Sequence, residues 1–368
     1  MNISDKNLKN EERVSFALRA LYSKYGYAQY KMSKFEEYDL YVRNKDFLIS
    51  DGVITFTDTN GRLMALKPDV TLSIIKNCTE AEGTVQKMYY NENVYRVSGS
   101  TKSFREIMQV GLECIGDIDA YCISEVLLLA ARSLMTISDE WVLDISHLGI
   151  LNDVIDALCL DETAKREVIK CVGEKNLHEA TRLCGDGEAA DRIRALISTY
   201  GSVREVIPRL RDAGVSKAHI KELGDLTAAL DMYGLSKNLR IDFSVVDDIK
   251  YYNGIVFKGY VHGVPTSVLS GGQYDNLMKR MGKKAGAIGF AVYLDLLEGL
   301  SSKSEKYDVD TLVIYDENEP AESVAQTVAR ISDTGASVVA QRRVPEKLRY
   351  KKLIKLSDGE VTVLEDNA

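Results

Sequence analysis

The sequence predicts an α+β fold: a mixed, mainly antiparallel sheet flanked by helices, with a helical insertion at about 151–235 and a small C-terminal α/β unit. Three observations lead there. Short strand-like runs joined by hairpin signals lie on both sides of a long helical stretch. That stretch carries helical periodicity and a single proline, Pro208. The tail then repeats strand, helix, strand. A chain of 368 residues exceeds one ordinary core, and the expected domains are 1–303 and 304–368.

The elements follow in order. Val14, Ala17, Leu18 and Leu21 recur at helical spacing and make one apolar stripe, and Gly26 ends that helix. YAQYKM, FLISDGVITFTD and RLMALK read as strands, and Asn60-Gly61 within TDTNGRL is a hairpin signal. In the insertion, Asp161 can cap a helix starting at Glu162, and Ile193, Leu196 and Ile197 share one face. Strands return in LRIDFSVV, KYYNGIVFKGYVHG and TSVLSGG. In the tail, TLVIY is a strand and Asn318 a plausible cap ahead of Pro320. Val324, Val328 and Ile331 form a stripe, Gly335 stops the helix, and ASVVA is the next strand. A βαβ start favours a parallel pair.

The hydrophobic fraction of 45% and charged fraction of 28% are those of a folded soluble chain. No run of eighteen apolar residues is present, so no membrane span is expected. MNISDKNLKNEERV lacks the basic start and apolar core of a secretion signal, and a cytoplasmic location is expected. Cys78, Cys114, Cys122, Cys159, Cys171 and Cys184 contain no CxxC pair and read as reduced, mostly buried thiols. With four histidines, none at ligand spacing from a cysteine, no metal site and no cofactor is expected. The net charge of −8 gives no long-range attraction to nucleic acid.

Four local patterns carry the candidate chemistry. LKPDVT sets Asp69 and Thr71 at a strand-to-helix junction, where both can accept from an amino group. A helix cap explains the same residues, and explains them better when the motif is taken alone. VYRVSGSTKSFREIMQVGLECIG reads as a hairpin with Arg96 and Arg105 on its two strands, a pairing suited to phosphate. Its Gln109, Gly111 and Glu113 share a face, and the glycine leaves floor space for a small ligand. An exposed hairpin is the equal alternative. KYYNGIVFKGYV is either a turn lined by the Tyr251 and Tyr252 hydroxyls or a β-hairpin with aromatic packing. In LSGGQYDNL and AGAIGFAVYLDLL, Gly271-Gly272 permits close approach of a ligand or strand, and Gly286 and Gly289 bracket a strand that turns into a helix at Phe290.

In this order the four patterns resemble the class II aminoacyl-tRNA synthetase core, and specifically its histidyl branch. SFREIMQVGLECIG looks like the second half of motif 2, and LSGGQYDNL with AGAIGFAVYLDLL like motif 3. LKPDVT looks like L-R-P-E-G-T, and YYNGIVF like the end of R-G-L-D-Y-Y. The resemblance covers roughly 11–300. Departures are specific. The arginine of R-G-L-D-Y-Y falls on Asp247, the motif 3 arginine on Leu296 and the motif 1 proline on Ser33, while the motif 2 arginine is kept as Arg96. Adenylation needs positive charge at the transferring centre, and an aspartate and a leucine remove it.

By the same resemblance, Asp69, Thr71, Gln109, Glu113, Tyr251 and Tyr252 match positions that bind histidine, and Arg96 and Arg105 are candidate anion-binding residues. Kept ligand contacts beside lost catalytic charge imply a sensor, with no catalytic residues of its own. LKPDVT is also similar to L-R-P-D-M-T, and LDISHLGI to D-L-G-H-V-G-I, of the ATP phosphoribosyltransferase regulatory subunits, a non-catalytic branch of the synthetase family. That resemblance implies a homodimer within a hetero-oligomer with a short-form catalytic subunit, and histidine as feedback effector. The alternative is a divergent histidyl-tRNA synthetase-like enzyme that activates an amino acid; a third is a scaffold with no ligand. From Glu305 to Ala368 nine Lys and Arg face thirteen Asp and Glu, a net −4, so tRNA is not expected as a partner. The local run QRRVPEKLRYKK reads as a solvated face.

Overall fold

The computed structural model describes residues 8–367 except 45–47, 49–51, 80, 99–100, 102, 186, 213–214, 247–250 and 301–305. Contacts divide the chain into two compact units, Met1–Leu300 and Ser301–Ala368.

The first unit opens with α1 (Asn10–Lys24), which buries Val14, Ser15, Leu18 and Tyr22. Of the expected stripe, Val14 and Leu18 are buried and Leu21 packs partly buried against the core, but Ala17 is exposed and Tyr22 joins the buried face. The Tyr22 hydroxyl explains the choice, because it hydrogen-bonds the buried Ser133 Oγ at 2.9 Å. Gly26, at φ +79, stops the helix as expected. YAQYKM supplies only β1 (Ala28–Gln29). β2 (Phe35–Glu37), α2 (Tyr38–Arg43), β3 (Thr55–Thr57) and β4 (Leu63–Leu66) follow, with β2 and β3 antiparallel to β4 on either side. The β3–β4 turn is the expected one. Gly61 has φ +79, and Asp58 Oδ1 accepts from the backbone N–H of Asn60 and Arg62, both at 2.8 Å.

Behind α3 (Thr71–Asn77) comes the hairpin of β5 (Val85–Val97) and β6 (Phe104–Gly116), paired from Val85↔Gly116 to Val97↔Phe104. It is the spine of the first unit's large sheet. α4 (Ala120–Ile137) has the length and composition of a membrane-crossing helix, but it is the core helix here, with Val126, Leu127, Leu129, Ala130, Ala131 and Leu134 inaccessible. β7 (Trp141–His147) runs directly into α5 (Leu148–Asp156).

The insertion folds as α6 (Glu162–Gly173), α7 (Leu177–Cys184), α8 (Glu188–Ser198), the two-residue β8 (Tyr200–Gly201), α9 (Val203–Asp212) and α10 (Lys217–Asp231). Asp161 caps α6 by accepting from Thr163 N and Ala164 N at 2.9 and 2.8 Å. Ile193, Leu196 and Ile197 are buried. These helices share the main hydrophobic core with the sheet, through residues such as Val172, Leu210 and Leu223.

β9 (Leu239–Asp242), β10 (Ile255–Val261), β11 (Leu269–Gln273), α11 (Asp275–Arg280) and β12 (Gly286–Tyr293) complete the unit, before a 3-10 turn at Leu294–Leu300. The large sheet has the order β1-β5-β6-β12-β11-β10-β7-β9-β8. Its contacts are antiparallel except β1 with β5 and β7 with β9. Two expectations are corrected here. No hairpin turns at Asn253-Gly254, because β9 pairs in parallel with β7, and β10 instead forms its hairpin with β11. Phe290 does not begin a helix. It is a buried strand residue between Leu112 and Gly271, and the ladder continues past it to Tyr293.

The second unit is a four-stranded sheet. β13 (Val309–Tyr315), α12 (Ala321–Ser332) and β14 (Val338–Gln341) form the expected parallel βαβ start, and β15 (Tyr350–Ser357) and β16 (Glu360–Asp366) extend it. Val324 and Ile331 pack on Val313, Ile354 and Leu356. The N-cap is Pro320 and not Asn318, and no side chain caps this end.

Candidate functional site

A cavity of about 300 Å³ lies over the sheet of the first unit, at the lower end of ligand-pocket sizes. Asp69, Thr71, Gln109, Glu113, Tyr251 and Tyr252 all line it, and so does Arg96. Sequence segments as far apart as LKPDVT and YYNGIVF are thus brought to one place. Arg105 is not. It stands opposite Arg96 in the β5–β6 ladder, exposed, and does not line the cavity. Asp247 and Lys250 lie outside the described residues.

The acidic end of the cavity is built on the start of α3 and on β6. Asp69 does cap the helix, since its Oδ1 accepts from Leu72 N at 2.9 Å. It also faces the cavity, so the two readings of LKPDVT are both realised. Burial raises its carboxyl above the ordinary value; the Leu72 N–H and the nearby Arg96 guanidinium oppose the rise. Arg96 is held by its Nε, which donates to the Pro68 carbonyl at 3.1 Å. Thr71 is buried and donates from Oγ1 to Glu113 Oε1 at 2.7 Å.

Glu113 is 2% exposed and accepts a second bond, from the Tyr274 hydroxyl to Oε2 at 2.5 Å. Burial pushes its carboxyl up to about 8; the Tyr274 and Thr71 bonds pull the other way, and Asp69's charge adds to the rise. Room for it exists only because position 289 is glycine: a Cβ there would collide with Glu113 Oε2 and the Leu112 carbonyl. Gln109, also buried, sits four residues back on the same face, beyond Gly111.

The floor space expected at Gly111 is occupied. Tyr90 stands directly opposite Gly111, and its ring end fills the volume that a Cβ there would need. The glycine admits a tyrosine of the neighbouring strand, whose hydroxyl is buried with Glu113 and Asp69 among its charged neighbours. Tyr251 packs on Tyr252 and Tyr274 with ring centroids 4.7 and 5.7 Å away. Gly271 lets β11 and β12 close together, and Gly272 lets Tyr252 lie against the strand.

Sequence reading missed Tyr90, Tyr274 and Lys258, all of which line the cavity. Tyr274 lay inside the quoted run LSGGQYDNL and had no period or spacing to mark it. Tyr90 and Lys258 become visible only with the register of the sheet. Among the described residues no cluster of three or more metal-ligating side chains is present.

The profile of the family described as Histidyl-tRNA synthetase matches residues 2–297. Among characterised proteins, the chain is similar to an ATP phosphoribosyltransferase regulatory subunit of Clostridium kluyveri, 28% identical with 83% of each chain covered. It is also similar to that of Clostridium acetobutylicum, 25% identical over 97% of this chain and 93% of the other. A crystal structure described as an ATP phosphoribosyltransferase regulatory subunit/histidyl-tRNA synthetase, from Bacillus halodurans, superposes with TM-score 0.72 at 24% identity, covering 90% of this chain and 88% of the other. Histidyl-tRNA synthetase of Nostoc sp. PCC 7120 gives 0.69 at 16% identity, over 99% and 97%. A chain of the ATP phosphoribosyl transferase complex of Thermotoga maritima gives 0.62 at 19% identity, over 77% and 97%. At these identities the structures establish the class II synthetase-like fold.

Proposed function

The chain belongs to the histidyl-tRNA synthetase family, and from that premise we propose that it is the regulatory subunit of a short-form ATP phosphoribosyltransferase. In this role it is required for the activity of a separate catalytic chain and makes the first step of histidine biosynthesis sensitive to histidine. It acts in the cytoplasm as a homodimer within the hetero-oligomer, and tRNA is not its partner. The names carried by the Clostridium relatives support the assignment.

One observation carries the reading: the residues at the family's histidine-binding positions line one cavity, while the motif 3 cation position holds a leucine. Leu296, at the motif 3 position, packs against the hydrophobic core and does not line the cavity. Asp69 and Gln109 offer acceptors for a ligand ammonium, and charge-assisted bonds of this kind contribute about 1.5–3 kcal/mol each. Glu113 and the tyrosine hydroxyls face an imidazole. A carboxyl at about 8 and an imidazole near 6.5 titrate in one range, so a proton is readily shared between them.

The test is to co-purify the chain with a short-form catalytic chain and assay phosphoribosyl transfer with and without L-histidine. Transfer is expected to require this chain and to be inhibited by histidine. Asp69→Ala and Glu113→Ala are each expected to relieve the inhibition. Unchanged inhibition in both variants would move the effector site out of this cavity.

A further inference from the structure

We infer that the solvent-facing side of α4 docks the catalytic chain, and that this partner supplies a carboxylate to Arg132. The inference rests on the regulatory-subunit reading and gives it a surface. It begins with helical spacing. Tyr121, Glu125, Arg132 and Met135 recur at helical spacing on one side of α4. Tyr25, which ends α1, and Met232 and Tyr233, which follow α10, join them from distant parts of the chain. Tyr121, Met135, Met232 and Tyr233 are exposed. Tyr233 lies near enough to Tyr121 to act on its ionisation, so these side chains make one patch. None of them lines the cavity, so docking here is separate from the effector site.

Two cations on this patch each stand over two tyrosine rings. The Lys87 ammonium lies 5.5 Å from the Tyr27 ring centre and 5.9 Å from that of Tyr121, and it bonds Glu125 Oε1 at 2.6 Å. Its charge is matched within the protein. The Arg132 guanidinium lies 5.6 Å from the Tyr25 ring centre and 5.7 Å from that of Tyr233, and its Nη1 donates to the Tyr25 hydroxyl. Among the described residues no carboxylate pairs with Arg132. The aromatic rings hold the guanidinium in place. Its remaining N–H groups form a fork whose natural complement is a carboxylate.

Charge then selects the occupant. Tyrosine, methionine and arginine are the side chains that protein interfaces gather, and a tyrosine-backed arginine is the kind of residue that anchors them. A two-fold contact between copies of this chain would lay the patch on itself, with cation facing cation. Glu125 cannot offset that. It is 4% exposed and already accepts from Tyr27, Lys87 and Tyr121. The carboxylate for Arg132 therefore comes from a different chain, and in this hetero-oligomer that chain is the catalytic subunit.

The experiment measures the affinity of the full chain for its cognate short-form catalytic chain at low and at raised salt, with self-association followed by sedimentation and folding by urea unfolding. The proteins are the wild type, Arg132→Gln, Arg132→Lys and Met232→Glu. Met232 is 87% exposed, so its variant folds whatever Arg132 contributes to packing, and the new carboxylate competes with the partner for Arg132. Arg132→Gln and Met232→Glu are each expected to weaken association by about tenfold to a hundredfold, or about 1.4–2.8 kcal/mol. Arg132→Lys is expected to retain part of the affinity, as a charge without the fork. Raised salt is expected to weaken the wild type more than Arg132→Gln. If Arg132→Gln and Met232→Glu both associate like wild type, the docking surface lies elsewhere and the regulatory reading stands. If they lower self-association and bind the catalytic chain as before, the patch meets a second copy and the inference is overturned. If wild type does not bind the catalytic chain, the regulatory reading falls with it.

Discussion

At the scale of single residues, Glu113 dominates. Its carboxyl is raised from an ordinary 4.5 to about 8 in the folded chain. The folded state therefore binds more protons than the unfolded one between those values. This group's contribution to stability is fully present below about 4.5 and is lost as pH rises through about 8, with a slope of at most about 1.4 kcal/mol per pH unit. Asp144, raised to about 6, adds a slope of the same sign lower in the range. Urea unfolding at pH 6 and pH 8 is expected to show wild type losing more stability than Glu113→Gln over that interval; equal losses would mean that Glu113 does not carry the slope. Gly289→Ala tests the space around the same carboxyl. Its Cβ collides with Oε2 of Glu113 and with backbone, so a loss of about 1–3 kcal/mol is expected, together with weakened ligand binding. Residues also show how much of the site was legible. Local patterns yielded Asp69, Thr71, Gln109, Glu113, Tyr251 and Tyr252 because each sits in a run that can be compared as text. Tyr90 filling the gap at Gly111, and Lys258 standing in the register row of Gly111, depend on register, and no local run encodes that.

At the scale of elements, what was legible was what is decided within a few residues. The Asn60-Gly61 turn, the Gly26 stop and the Asp161 cap are local hydrogen-bonding decisions, and all are found. Strand ends are decided by partners. YAQYKM keeps only the two residues that pair with Met88 and Tyr89, and β12 continues through Phe290 because β6 and β11 flank it on both sides. On α1 the stripe missed Tyr22 for a comparable reason, since its buried partner is a hydroxyl on α4, more than a hundred residues away. The α1 face can be tested by contrast. Leu18 is fully inaccessible and Ala17 is exposed. Leu18→Ala is expected to cost about 2–5 kcal/mol in urea unfolding, while Ala17→Glu stays within about 0.5 kcal/mol. A large effect at Ala17 would place the buried face, or a subunit contact, on the other side of the helix.

At the scale of the molecule, the fold is that of an enzyme family while the charges are not. The sheet and the long β5–β6 hairpin assemble the cavity proposed for the amino acid, and any adenylation chemistry would take place beside it. In-line attack of a carboxylate on a nucleotide phosphate gathers negative charge, and each missing donor at such a centre costs about a hundredfold to a thousandfold in rate. By the resemblance in sequence, Leu296 stands at one family cation position and Asp247 at another. Two losses of that size leave nothing measurable. The purified chain is therefore expected to give no histidine-dependent ATP–pyrophosphate exchange above a no-enzyme control. Leu296→Arg alone is expected to leave that result unchanged. Leu296 belongs to the 3-10 turn that closes on the core, so an arginine there must first leave an apolar environment, and the Asp247 charge would still stand. Exchange by the wild type would identify the chain as an amino-acid-activating enzyme. Exchange by Leu296→Arg but not by wild type would show that one cation separates sensor from catalyst, and that Asp247 opposes less than its charge implies.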